Sequence, residues 1–174
     1  VEYVIGTNRD KEKMCVVFRK YRPDIVYHLA ALKHVALMEK WPEEAYQTNV
    51  IGTQILISLA VLFKAKKFVF ISSDKAVNPS CIMGRSKFDG ERLCLAAQNL
   101  PMNTTDFIIV RFGNVLMSQG SAVEIFSRQI REGKNLTVTS PKMKRYFMGI
   151  YDAVELVIKV IGFAKGGDTV VLDM

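Results

Sequence analysis

Residues 66–87 run Lys66-Lys67-Phe68-Val69-Phe70-Ile71-Ser72-Ser73-Asp74-Lys75-Ala76-Val77-Asn78-Pro79-Ser80-Cys81-Ile82-Met83-Gly84-Arg85-Ser86-Lys87. The apolar run Lys66–Ser72 reads as a strand. Asp74 to Ile82, with its Asn78-Pro79 dipeptide, reads as a loop, and a helix follows from about Met83 to Gln98. Asp106 to Arg111 (DFIIVR) is the next strand. A strand, a helix of this length and a second strand make a βαβ unit, which requires a parallel pair.

The same alternation extends in both directions. Upstream, Asp24 to Ala30 (DIVYHLA) is a mostly apolar strand, as expected in a parallel sheet buried on both faces. Before it, Asp10 to Tyr21 is amphipathic, with Met14, Val17, Phe18 and Tyr21 at helical spacing, and Pro23-Asp24 ends that helix. Val1 to Ile5 (VEYVI) is a short β-rich run read as a strand. Pro42 opens a helix predicted to run to about Lys64. Downstream, Ser121 to Glu132 is a helix stopped by Gly133, and Leu136 to Val138 is a short strand. Asp152 to Phe163 is a helix, and Thr169 to Leu172 a strand. The fold class is therefore α/β, a Rossmann-like, doubly wound parallel sheet in a single partial domain over residues 1–174. Such folds place ligands at the carboxyl ends of their strands.

One feature of a dinucleotide-binding fold is missing. None of the 11 glycines forms a glycine-rich turn between a strand and a helix. The reading is that the first βαβ unit lies upstream of Val1 and that the chain, which stops at Met174 just after the apolar run Thr169 to Leu172, is cut from a longer protein at that end too.

Composition excludes several classes. The chain is 49% hydrophobic and 24% charged with a net charge of +7, ordinary for a globular domain and compatible with an anionic partner. Cys15, Cys81 and Cys94 have neither disulfide-framework nor metal-ligand spacing, and with only His28 and His34 no zinc site is expected. The longest apolar region, Val50 to Phe63, is broken by Gly52, Thr53, Gln54 and Ser58, short of a membrane span. No nucleic-acid module is present, and the cluster Lys142, Lys144 and Arg145 is too short to suggest one.

Chemistry concentrates after the Lys66–Ser72 strand. Ser73, Asp74 and Lys75 put a hydroxyl, a carboxylate and an amine at one strand end, while Met83 and Lys87 share a helix face. On spacing alone Asp74-Lys75 reads as a solvated turn pair. Met83 reads as core filler and Lys87 as an exposed helix lysine.

The surroundings supply the other reading. The segment resembles the active site of the extended short-chain dehydrogenase/reductase superfamily, which has Ser/Thr after this strand and Tyr-x-x-x-Lys on the next helix. Met83 stands where that Tyr would be, and a thioether cannot exchange a proton. This substitution resembles one branch, the large, usually membrane-anchored nucleotide-sugar 4,6-dehydratases of bacterial capsule and glycan biosynthesis. Further segments are similar to that branch, in order along the chain: Tyr21-Arg22-Pro23-Asp24, His28 to Val35, Thr48 to Thr53, Arg111 to Leu116, Gly120-Ser121 and Arg145 to Met148. At Gly6-Thr7-Asn8-Arg9-Asp10, relatives usually carry Gly-Asp-x-Arg-Asp, so Thr7 departs from an adenine-contacting Asp.

The resemblance implies tightly bound NAD or NADP, with NAD favoured, and a UDP-linked N-acetylhexosamine such as UDP-N-acetylglucosamine as substrate. It implies Ser73, Asp74, Lys75, Met83 and Lys87 as the catalytic set, with Asp74 as acid for the C6 hydroxyl and Lys75 as base at C5. Such an acid must hold its proton and such a base must have lost it, and a desolvated site favours both neutral forms. It implies Asp10, Ala30, Ala31, Lys33, Asn49, Ser72 and Lys87 toward the cofactor. His34, Arg111, Asn114 and Arg145 are implied toward the substrate, whose region covers about 111–150. No metal and no nucleic acid are implied. A homo-oligomer, and a place on the cytoplasmic side of the inner membrane through segments outside this chain, are also implied, this stretch itself being soluble. Two alternatives stay open: an epimerase or reductase of the same superfamily, and an inert cofactor-binding or interaction module, toward which the missing Tyr and the missing glycine turn both point.

Overall fold

The computed structural model describes residues 1–116, 118, 120–138 and 140–172. In chain order the elements are α1 (Lys11–Tyr21), β1 (Ile25–His28), α2 (Val35–Lys40), α3 (Pro42–Tyr46), a π-helical turn (Gln47–Ile51) and α4 (Gly52–Leu62). Then follow β2 (Lys67–Ser73), a 3-10 turn (Asp74–Ala76), α5 (Ile82–Gln98), β3 (Asp106–Phe112), β4 (Asn114–Val115), α6 (Ala122–Arg131), β5 (Phe147–Met148), α7 (Ile150–Phe163) and β6 (Thr169–Val171).

Four strands form one parallel sheet in the order β1-β2-β3-β6. Val26 lies opposite Phe68, Phe70 opposite Ile109, and Ser72 opposite Arg111. Alternation along the strands divides the core into two layers. On one face Phe68, Phe70, Phe107 and Ile109 pack with Phe18 of α1, Leu56, Leu59 and Ala60 of α4, and Cys94 and Ala97 of α5. On the other, Val69, Ile71, Ile108 and Val110 pack with Val160 of α7 and with Ala164. Both faces of β2 and β3 are thus covered, which is why their sequences are unbroken apolar runs.

Side-chain caps fix the helix starts. Asp10 accepts from the Lys13 amide in front of α1, Ser121 from Glu124 in front of α6, and the Cys81 sulfur from Gly84 in front of α5. Gly133, at φ +64°, follows α6 in the left-handed conformation that glycine tolerates.

Three expectations are corrected. Val1–Ile5 forms no strand: Val1, Tyr3 and Ile5 are almost wholly exposed, and no described residue offers their backbone a ladder partner. Leu136–Val138 is no strand either. Leu136 and Val138 are exposed, and β4 pairs instead with β5, Asn114 opposite Phe147. The helix from Pro42 ends at Leu62 and is interrupted by the π-helical turn, while α2 is an additional helix ahead of it. The stretch Pro42–Leu62 is long and apolar enough to cross a membrane, but half of its apolar window is buried inside this fold, as in a core helix.

Candidate active site

The carboxyl ends of β2 and β3 and the amino end of α5 meet around the Asp74–Ala76 turn. Strand β2 delivers Ser73 there, and the Ser73 Oγ caps the turn by accepting from the Lys75 amide at 3.3 Å. The approach is close: a Cβ on Gly84 would stand 2.2 Å from the Lys75 carbonyl oxygen, so only glycine lets α5 start where it does.

The side chains of this turn form a continuous hydrogen-bonded chain. Ser73 Oγ donates to Asp74 Oδ1 at 2.9 Å, and Lys75 Nζ donates to the same oxygen at 2.9 Å. Lys75 Nζ also donates to Asn114 Oδ1 at 3.2 Å, and Asn114 Nδ2 donates to the Tyr146 carbonyl at 3.0 Å. The Lys75 and Asp74 side chains are 27% and 22% exposed, so the pair is partly withdrawn from water yet reachable. Four expected residues, Ser73, Asp74, Lys75 and Asn114, are therefore in direct contact.

Lys87 occupies a second centre beneath the first. It is buried, donates to the Ile71 carbonyl at 2.7 Å and sits 4.9 Å from the centre of the Phe70 ring. Burial pushes its amine down to about 8, against the opposing pull of Cys94 and Glu91. Close by, His28 Nε2 lies 2.8 Å from Thr53 Oγ1, which itself donates to the Asn49 carbonyl. The threonine's proton is thus committed, so His28 donates through Nε2. Burial, with the Lys87 charge second, lowers the imidazole to about 3 and keeps it neutral. Burial also pushes the Cys94 thiol well above its ordinary range.

Met83 is buried with Met38 and Ala45, closing a small cluster between α2, α3 and α5. Asn49 spends its amide inside the protein: it accepts from the Leu32 amide at 2.8 Å and donates to the Leu32 carbonyl at 3.0 Å and to Ser86 Oγ at 2.9 Å. It thereby pins the Leu29–His34 loop, with Ala30, Ala31 and Lys33, to α5. Asp10 is committed to capping α1. His34 reaches the loop before α6, where its ring would collide with any Cβ on Gly120 (2.6 Å), a residue at φ +70°. Arg145 is exposed, and its guanidinium donates to the Lys144 carbonyl at 3.1 Å.

Arg111 is held by a residue that the sequence reading passed over. Its Nε and Nη2 donate to the two Glu91 carboxylate oxygens at 2.8 and 2.7 Å. The hydrogen bonds to Glu91 raise the guanidinium above its ordinary value. The signal for Glu91 was an acidic residue four positions after Lys87, on the same inward face of α5.

Ser72 Oγ is buried at the end of β2 and has no hydrogen-bond partner among the described residues. Lys87 spends one of its three donors on the Ile71 carbonyl. Beside a parallel sheet's carboxyl end, these groups suit a polar, hydroxyl-rich ligand such as the ribose of a dinucleotide. A cleft of about 370 Å³ between α3 and α5, lined by Pro42, Tyr46, Ile82 and Arg85 among others, includes none of the expected site residues.

Known proteins share this sequence and fold. The "Probable polysaccharide biosynthesis protein EpsC" of Bacillus subtilis (strain 168) is 48% identical over 171 residues, 98% of this chain and 28% of that protein. A "UDP-glucose 4-epimerase" of Rickettsia canadensis is 43% identical over 146 residues, 83% of this chain and 43% of that protein. The solved structure of Pen from Bacillus thuringiensis superposes with a TM-score of 0.93 at 39% identity, over 99% of this chain and 54% of that one. The dTDP-glucose 4,6-dehydratase DesIV from Streptomyces venezuelae, with NAD and TYD bound, shares the fold at a TM-score of 0.89 and 20% identity, over 98% of this chain and 57% of that one. The chain thus spans between about a quarter and somewhat over half of these relatives' lengths. With residues 1–174 all inside the match, the chain belongs to the family described as polysaccharide biosynthesis protein.

Proposed function

We propose that this chain carries the reacting centre of a nucleotide-sugar 4,6-dehydratase acting on a UDP-linked N-acetylhexosamine, with Lys75 as base at C5 and Asp74 as acid at C6. The observation that carries the reading is the acid and base held 2.9 Å apart, half-buried, at a strand's carboxyl end. NAD is the proposed cofactor. Ser72 and Lys87 would hold its ribose side, and when bound it supplies temporary hydride storage, taking hydride from C4 and returning it to C6.

The residues then have defined work. A ketone at C4 acidifies the C5 hydrogen, which the neutral Lys75 amine removes. Asp74 gives a proton to the departing C6 hydroxyl, which leaves as water. Asp74 Oδ1 already accepts from Ser73 and Lys75, so Oδ2 is the oxygen that carries this proton. As hydride returns to C6, Lys75 gives its proton back to C5. The proton released at the C4 hydroxyl equals the one that leaves with water, so the protein ends unchanged. With Met83 packed in an apolar cluster, the Asp74–Lys75 pair takes that C4 proton, and contact at 2.9 Å lets either group pass it to the other. For the cycle to close, Asp74 starts as the carboxylate and Lys75 as the free amine, and the proton taken from the C4 hydroxyl is the one that Asp74 later gives to the C6 hydroxyl.

Arg145 and His34 are proposed toward the substrate, where a guanidinium suits a diphosphate. The full-length protein would act at the cytoplasmic face of a bacterial membrane, as a homo-oligomer, anchored through segments outside these residues. A second reading, nucleotide-sugar epimerase, is favoured by the Rickettsia relative. One assay separates them. The full-length protein is incubated with UDP-N-acetylglucosamine in heavy water and the product is weighed by mass spectrometry. Loss of water with one deuterium gained, abolished by Asp74→Asn and by Lys75→Ala, is expected. Retained mass with an inverted C4 centre establishes the epimerase instead.

A further inference from the structure

We infer that Asn114 is a positioning residue that aims the lone pair of Lys75, and that it ties this aim to residues 144–148. The inference rests on the dehydratase reading and deepens it. A neutral amine has two N–H bonds and one lone pair, so once both hydrogens are committed the lone pair has one direction left. Lys75 has two acceptors, Asp74 Oδ1 at 2.9 Å and Asn114 Oδ1 at 3.2 Å. Asn114 in turn cannot reverse its amide without loss. Its Nδ2 donates to the Tyr146 carbonyl, which also receives the Asn114 backbone N–H at 2.8 Å, so Oδ1 is held toward Lys75. That carbonyl precedes β5, whose pairing with β4 is two residues long on each side. Any movement of 144–148 on binding substrate therefore reaches the base through one side chain. The charged groups on the elements around Lys75 are Asp74 on its own turn, Lys67 on β2, Arg85, Lys87, Asp89, Glu91 and Arg92 on α5, Asp106 and Arg111 on β3, and Lys144 and Arg145 ahead of β5.

The test uses the full-length protein with UDP-N-acetylglucosamine, comparing wild type, Asn114→Ala and Asn114→Asp. Asn114→Ala should lower kcat for water loss about 10-fold or more while KM stays within about twofold, since misaiming a reacting group costs rate rather than binding. Asn114→Asp keeps an acceptor for Lys75 but adds a negative charge that favours the ammonium, so its activity should recover as pH is raised. A readout independent of turnover is acetic anhydride labelling of Lys75 without sugar, followed by peptide mass spectrometry. Release of the amine should speed labelling of Lys75 several-fold in Asn114→Ala, with other lysines unchanged. A raised KM with kcat intact would make Asn114 a sugar contact and overturn the inference, and unchanged labelling would do so too. If wild type itself loses no water from the sugar, the dehydratase reading falls and the inference falls with it. Wild-type turnover beside an unaltered Asn114→Ala removes the inference alone.

Discussion

The contact between Glu91 and Arg111 is unequal, and the inequality has a measurable consequence. The Glu91 side chain is 5% exposed and that of Arg111 is 26% exposed. Arg111→Met removes the partly solvated member and leaves a carboxylate buried in α5 without its fork. Removing one partner of a buried pair costs about 3–5 kcal/mol. The lower end applies here because Lys87, also near Glu91, retains some attraction for it. Glu91→Gln leaves the opposite remainder: a guanidinium that can turn to water across its exposed quarter, with the new amide oxygen still accepting one N–H. That substitution should cost about 1–2 kcal/mol. For a domain of this size ~1 kcal/mol moves the melting temperature by about 2–4 °C. Arg111→Met is therefore expected to lower Tm by roughly 6–12 °C and Glu91→Gln by about 2–8 °C. Joining Arg111→Met with Glu91→Leu should recover more than half of the larger loss, because no stranded charge remains. Thermal and urea unfolding of the three variants is the assay. A greater loss for Glu91→Gln than for Arg111→Met, or a double variant no more stable than Arg111→Met alone, would refute the account of which partner depends on the other.

Two more outcomes are expected. Gly84→Ala should cost on the order of 1–3 kcal/mol, because the added carbon meets backbone rather than a movable side chain. Gly162→Ala in α7, with nothing within 4 Å, should be neutral or stabilise by up to about 1 kcal/mol, so similar melting shifts for the two would contradict the close approach. For His28, the unfolded imidazole binds a proton near 6.5 and the folded one near 3, so between those values the unfolded state holds more protons and stability falls as pH falls. The contribution is undiminished above pH ~6.5 and about 2 kcal/mol is lost by pH ~5. Urea midpoints at pH 7.5 and 5 should therefore differ less in His28→Gln than in wild type.

The parts of this fold that were legible in the sequence are those whose neighbours lie nearby or whose environment is uniform. Phe68–Ile71 and Phe107–Val110 announce central strands because both sides of each strand meet apolar layers. The Ser73-Asp74-Lys75 cluster was legible because strand, turn and helix follow one another. Other features required the third dimension. Asn49 reads as a helix residue, yet its partners Leu32 and Ser86 lie 17 and 37 positions away, and it clamps a loop. Leu136–Val138 has local strand character, but β4 finds its partner at Phe147–Met148. Val1–Ile5 has the composition of a strand without a neighbour to bond.

The π-helical turn at Gln47–Ile51 is equivalent to one residue inserted into an otherwise α-helical rod, its wide loop closed by the Gly52 N–H on the Gln47 carbonyl. One residue corresponds to about 100° of rotation about the axis. The turn thus works as a clutch between two half-rods: Pro42–Tyr46 keeps its bearing toward α5 while Gly52–Leu62 keeps its own toward the sheet. Asn49 and Val50, at the coupling, are turned inward. Deleting a single residue there would give a straighter helix but swing one half-rod by about 100°, pulling either Ala45 or the Leu56–Ala60 face out of the core.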